Sequence, residues 1–301
     1  MIIDFHTHTF PSKIAGRAIT TLAGNSHTKA FLDGTDESLA ASMKQSGIDC
    51  SVILPVATSD AQIVSINDSA ERLQEVRRKS GLISFGAMHP DFEDWKNELL
   101  HLKNTGIKGI KLHPVYQNVD LDDIRMLRIY DRCAELGLMV VLHAGFDVGF
   151  PGVDRCAPSR SLHALRELAF PSRNSRQNGF RFILAHMGGW HQWDEVLRLA
   201  PEFLEAGPVL LDTAFSCGSF TSEGKYWKPS ETRMLDSQQF MAIVRAFGTE
   251  RILFATDSPW SDQEESLKWM RSLPLTKEEL DAILGENARK LLEPRNQSPT
   301  S

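Results

Sequence analysis

Cysteine is scarce in this chain and never paired. Four cysteines occur in 301 residues, Cys50, Cys133, Cys156 and Cys217. They lie far apart with no CxxC spacing, so they read as reduced thiols of a cytoplasmic protein, not as a disulfide framework or a thiolate metal site. Long apolar runs are missing too. No window approaches the roughly 20 residues needed to cross a bilayer, and the opening MIIDFHTHTF lacks the basic region and apolar stretch of a signal peptide. Excess positive charge is also absent. The formal net charge is −6 with 10 histidines counted neutral, which disfavours nucleic acid or an anionic membrane as the main partner. Finally, there is no interdomain linker, so one domain is expected over residues 1–296, with a polar tail over 297–301 that frays.

What is present is a repeating unit. A helical segment, a glycine, a short apolar run and a polar or turn-forming residue follow one another along most of the chain. The glycines are Gly47, Gly81, Gly106, Gly137, Gly179, Gly207 and Gly248, each placed where a helix would take a left-handed residue before a strand. The runs after them are CSVILPV, LISFGAM, IKGIKLH, LMVVLH, FRFILAH, PVLLDTA and RILFATD. Their Val, Ile, Leu and Phe content suits strands buried on both faces of a parallel sheet. With the opening IIDFH they make eight.

Helices are expected between them. One covers Asp36–Lys44 with Thr35 as N-cap. Another covers Leu121–Leu136 after Asp120, with Ile124 and Leu127 on one stripe. Eight strand–helix units predict an α/β fold of the (β/α)8 TIM-barrel type. An open doubly wound sheet is the alternative that local pattern leaves standing. After an extended Ser- and Gly-rich segment from Phe215 to Ser237, helices are expected over Asp262–Ser272 and Lys277–Leu284, with a short one ending near Leu292.

In such a barrel the chemistry sits at the C-terminal ends of the strands. The residues closing the runs are His6 and His8, then Pro55, His89, Lys111 with His113, His143, His186, Asp212 and Asp257. Six of the 10 histidines therefore fall at expected strand ends. Side chains two apart share a face, so His6 and His8 can converge on one point. By the same alternation His143 follows Met139 and Val141, and Asp257 follows Leu253 and Ala255, which puts apolar side chains beneath a polar rim. Imidazoles and a carboxylate in this order point to a divalent metal, zinc first, with manganese or iron as alternatives. His89, just before Pro90, reads as a strand cap.

The segments IDFHTHTFP, GIKGIKLHP, VVLHAG, FILAHMGG, RILFATDSPW and ILGENARKLL resemble, in succession, the signatures of the amidohydrolase-related family. The resemblance is to its branch of aminocarboxymuconate-semialdehyde decarboxylase, resorcylate-type decarboxylases and pyrone-dicarboxylate lactonase, and it runs over nearly the whole chain. It implies one metal ion held by His6, His8, His143 and Asp257. It gives His186 a place beside the ligands or an acid–base role, and it leaves Lys111 or His113 to contact substrate.

The expected activity is metal-dependent hydrolysis of a small, carboxylate-bearing ester, lactone or amide, with Asp257 and His186 as the catalytic pair. Metal-dependent, non-oxidative decarboxylation of a small aromatic or muconate-type acid is the alternative chemistry. A non-catalytic metal-binding barrel is the third reading. Arg155 and Arg160, in the loop GFDVGFPGVDRCAPSR, and Trp190, in GGWHQW, are further candidates for substrate contact. A small molecule is the expected partner, with a homo-oligomer allowed by the resemblance.

Overall fold

The computed structural model describes residues 1–168, 180–218, 220–222, 226–228 and 231–293. Its strands are β1 (Ile3–Thr7), β2 (Cys50–Ile53), β3 (Leu82–Ser84), β4 (Gly86–Ala87), β5 (Gly109–Leu112), β6 (Met139–Leu142), β7 (Phe182–Leu184), β8 (Val209–Asp212) and β9 (Ile252–Leu253). All pairings between neighbours are parallel. β3 and β4 together occupy the third barrel position. Phe85 between them still donates its N–H to Ile53 O at 3.0 Å, while β4 has turned to pair with β5.

Closure comes from β1 and the segment after β9. Phe5 N donates to Phe254 O, and Asp257 N donates to His6 O, both at 2.9 Å. The sheet is therefore a closed barrel, and the open doubly wound alternative does not apply.

Helices α1 (Ser12–Ser26), α2 (Asp36–Ser46), α3 (Ile63–Lys79), α4 (Trp95–Asn104), α5 (Ile124–Leu136), α6 (Pro158–Glu167), α7 (Trp193–Ala206) and α8 (Ser237–Phe247) lie between the strands. α9 (Gln263–Arg271), α10 (Lys277–Asp281) and α11 (Asn287–Leu292) follow β9, and a π-helical turn over Ala282–Glu286 joins the last two. No described helix is long and apolar enough to cross a membrane.

Two apolar layers result from the two-residue period of the strands. Phe5, Val52, Leu54, Phe85, Met139, Val141, Ile183, Leu253 and Ala255 form a compact inner cluster. Val140, Leu142, Phe182, Leu184 and Leu211 belong to the larger cluster shared with the helices. Met139 and Val141 thus stack beneath His143, and Leu253 and Ala255 beneath Asp257, as the alternation requires.

The local expectations held in part. Thr35 caps α2, its Oγ accepting from Ser38 N at 3.1 Å, and Gly47, Gly81, Gly106 and Gly137 take positive φ. Gly207 does not: its φ of 171° is extended backbone, because Ala206 ends α7 and the chain enters β8 without a left-handed step. Gly179 and the tail 297–301 lie outside the described residues. α5 begins at Ile124, not after Asp120, because Asp123 accepts from Arg125 N and caps it. That rotates Ile124 into solvent and buries Met126, Ile129, Tyr130 and Cys133 instead.

Candidate metal centre

His6 and His8 reach the rim on one side of β1, and each has its Nδ1 committed. His6 Nδ1 donates to Asp212 Oδ2 at 2.9 Å, and His8 Nδ1 donates to Leu54 O at 2.7 Å. With both Nδ1 atoms protonated, the neutral rings present bare Nε2 lone pairs. The two Nε2 atoms are 3.1 Å apart, on rings inclined at 75°, so the lone pairs converge. Asp257 Oδ1 lies 3.4 Å from His6 Nε2 and 3.1 Å from His8 Nε2.

Electrostatics agree with that assignment. Burial, reinforced by the Lys111 ammonium, holds the His6 pKa well below its usual value, which keeps the ring neutral. The Asp257 carboxyl is ionised: burial opposes its charge, but the interactions with His6 and His8 outweigh burial and bring its pKa down to about 2. His6 Nε2, His8 Nε2 and Asp257 Oδ1 thus converge on one point, with the Lys111 ammonium 3.3 Å from the first of them. Two imidazoles with a carboxylate are donors that zinc, manganese and iron accept.

Backbone strain collects at the same place. Asp257 has φ of 67° and His186 φ of 59°, in the left-handed region that costs a residue with a Cβ on the order of 1–3 kcal/mol. The bonds that hold them there are Asp257 N to His6 O, at 2.9 Å, and His186 N to Asp212 Oδ1, at 3.0 Å. Asp212 therefore orients His6 with one oxygen and His186 with the other. Gly145 is needed for a different reason: with φ of 84° it passes so close to the Gly189–Trp190 backbone that a Cβ would collide with it.

His143 faces two ways. Its Nδ1 is 3.0 Å from His186 Nε2, and its Nε2 donates to Phe146 O at 3.1 Å, 3.8 Å from Asp147 Oδ2. His186 donates from Nδ1 to Ala214 O at 2.8 Å, so its Nε2 is also a lone pair. His113 Nε2 lies 3.3 Å from the same Asp147 oxygen, and its Nδ1 accepts from Tyr116 N at 3.4 Å.

His113, His143 and Asp147 are close enough to form a second candidate cluster. The rings of His113 and His143, however, stack at 4.1 Å with 17° between planes. In-plane lone pairs of stacked rings run side by side and do not meet, so this cluster suits chelation less well than the first. Burial raises the Asp147 pKa, with His143 opposing the shift.

Lys111 is buried, and its Nζ is 3.3 Å from His6 Nε2. It makes no ion pair among the described residues, and burial lowers its pKa to about 8, with Asp212 and Asp257 opposing. Above it opens a cavity of about 1240 Å³ that also touches His113 and Trp190. Phe10, Tyr116, Phe146, Phe215 and Trp260 join Trp190 as aromatic walls.

Arg155 and Arg160 do not line it. Arg155 bonds Asp120 and Asn118, and Arg160 bonds Asp122, so the acidic stretch before α5 draws both guanidiniums away from the centre. His89 accepts from Asp91 N at 3.2 Å, the capping role its position suggested. Asp212 stood at a strand end in the sequence without a role, and Asp147 was not singled out there.

A family model described as "Amidohydrolase" matches residues 3–293. No match was found among curated proteins. Among solved structures, a 2,6-dihydroxybenzoate decarboxylase complexed with 2,6-dihydroxybenzoate is 14% identical, with 97% of this chain and 98% of that one covered at a TM-score of 0.68. A dihydroxybenzoic acid decarboxylase from Polaromonas sp. JS666, with bound manganese and the inhibitor 2-nitroresorcinol, is 13% identical over 97% and 96%, TM-score 0.67. A TIM-barrel protein from Bordetella bronchiseptica is 15% identical over 97% and 98%, also at 0.67. At these identities the likeness establishes the fold.

Proposed function

The chain belongs to the amidohydrolase family, and from that premise we propose that it is a metal-dependent enzyme that decarboxylates a small aromatic acid without oxidation. The observation that carries this reading is Lys111. A buried ammonium with no ion-pair partner among the described residues calls for an anion from the ligand. A substrate carboxylate supplies it, and the aromatic walls of the cavity suit a planar ring. The hydroxybenzoate decarboxylases among the similar structures support the same choice.

His6, His8 and Asp257, with His143 as a fourth ligand, would hold the metal, which supplies Lewis-acid stabilisation of negative charge on the substrate. Lys111 binds the carboxylate, and Trp190 and Phe215 flank the ring and exclude water. His186, its Nδ1–H fixed on Ala214 O, takes up a solvent proton on its Nε2 lone pair and passes it to the ring carbon. As the carbon–carbon bond breaks, its electron pair stays on that carbon and takes the proton, and carbon dioxide leaves. Solvent then restores the proton to His186.

A second reading, hydrolysis of a carboxylate-bearing ester, lactone or amide, is favoured by Asp257. Its Oδ1, 3.1 Å from His8 Nε2, stands where an attacking water would meet it, and although a pKa of about 2 makes it a weak base, it is ionised and free to accept a proton at neutral pH. The metal-loaded enzyme should release carbon dioxide from members of a hydroxybenzoate and muconate-type panel. Lactone hydrolysis with no carbon dioxide from any acid would select the second reading instead.

A further inference from the structure

The cavity is larger than a head group at the rim requires. Its volume of about 1240 Å³ exceeds the roughly 300–1,000 Å³ of most small-molecule pockets, and the metal centre occupies one end. The remainder runs away from Lys111 between α1, α2 and α3, along Leu22, Ala40, Ile66, Leu73 and Val76. The cavity forms a gap between these helices, lined by Ile14 of α1, Ala40 of α2 and Leu73 of α3. The gap leaves Ile14 and Val76 at 41% and 62% exposure and opens onto Ile53 and Leu82 of the barrel wall.

The half-buried charges beside this arm are already paired. Asp36 accepts from Thr9 Oγ at 2.6 Å and from Arg77 Nε at 2.7 Å, and Arg77 also bonds Ser84. Lys13, Glu37 and Arg72 are exposed where the arm meets solvent. A surface of this kind recognises a ligand by burying apolar area, not by hydrogen bonds.

We propose that the arm is a subsite for an apolar tail of the substrate, an alkyl or acyl chain attached to the carboxylate-bearing head held at the rim. The proposal rests on the reading of the rim as a carboxylate site, and the continuity of the arm with that site selects a substrate tail over a second protein chain. Each methylene drawn into such walls adds about threefold to fourfold in affinity.

Titration calorimetry of the manganese-loaded enzyme tests this with salicylate and its 5-alkyl derivatives, and separately with n-alkyl carboxylates from hexanoate to dodecanoate. Affinity should climb by about that factor per methylene in both series. Leu73→Glu and Ser69→Trp should each flatten the climb while leaving salicylate affinity within about twofold. The pair guards against one variant simply failing to fold.

Chain-length independence with salicylate still bound overturns the arm and leaves the rim reading intact. A climb without any decarboxylation sustains the arm and overturns the proposed chemistry. A climb that both variants leave unchanged, or a dimer that Val76→Lys converts to monomer, assigns the face to something other than a substrate tail and overturns the proposal.

Discussion

Two clusters of two histidines and one aspartate sit side by side at the rim, and their compositions are identical. In His6–His8–Asp257 the rings are inclined at 75° and the Nε2 atoms meet at 3.1 Å, each with its far nitrogen pinned as a donor. In His113–His143–Asp147 the rings stack at 17°, and Asp147 Oδ2 lies 3.3 Å from His113 Nε2 and 3.8 Å from His143 Nε2. The first presents converging lone pairs to a cation, while the second spends its ring nitrogens on the protein. Residue type and proximity are shared, so what distinguishes the two candidates is the orientation of their ring nitrogens. His143 belongs to the second, with Nδ1 3.0 Å from His186 Nε2 and Nε2 anchored on Phe146 O.

The contrast can be broken most forcefully at the first cluster. Asp257→Asn and His8→Ala should each empty the site and lower turnover by about a thousandfold or more, the several kcal/mol expected of an electrophilic metal. Retained metal and near-normal turnover in Asp257→Asn would contradict both its ligand role and its catalytic role. Circular dichroism should show the barrel preserved.

A smaller effect is expected one bond away. Asp212→Asn replaces the oxygen that His6 Nδ1 donates to, and metal affinity measured by chelator competition should fall about 10–100-fold. An unchanged affinity would mean that the barrel wall alone orients His6.

Asp147→Asn should weaken the metal less than about tenfold, below the effect of a carboxylate bonded directly to a ligand's ring nitrogen, because the Phe146 carbonyl still holds His143. Arg155→Ala should change KM within about twofold and stability by no more than about 1 kcal/mol, as for exposed ion pairs. A tenfold rise in KM would return Arg155 to the substrate.

Much of this was legible in the sequence. Glycine-punctuated apolar runs mark the barrel because helix exits and buried strands each impose local rules. Two-residue alternation places Met139 and Val141 under His143 before any tertiary information is used. The break at Phe85 was not legible, because a shift of pairing partner leaves the apolar run unchanged. Nor was the pairing of Arg155 and Arg160 with Asp120 and Asp122, which depends on how two loops meet. Asp212 and Asp147 had suitable chemistry in suitable places, but what a carboxylate accepts from is settled only when three or four chain segments come together.

Metal content per chain decides between the two clusters most directly. Elemental analysis of the protein loaded with excess manganese and then dialysed should find one equivalent in the wild type, one in Asp147→Asn and none in Asp257→Asn. Two equivalents in the wild type, with one lost in Asp147→Asn, would contradict the distinction drawn from the lone pairs and make the stacked cluster a metal site as well.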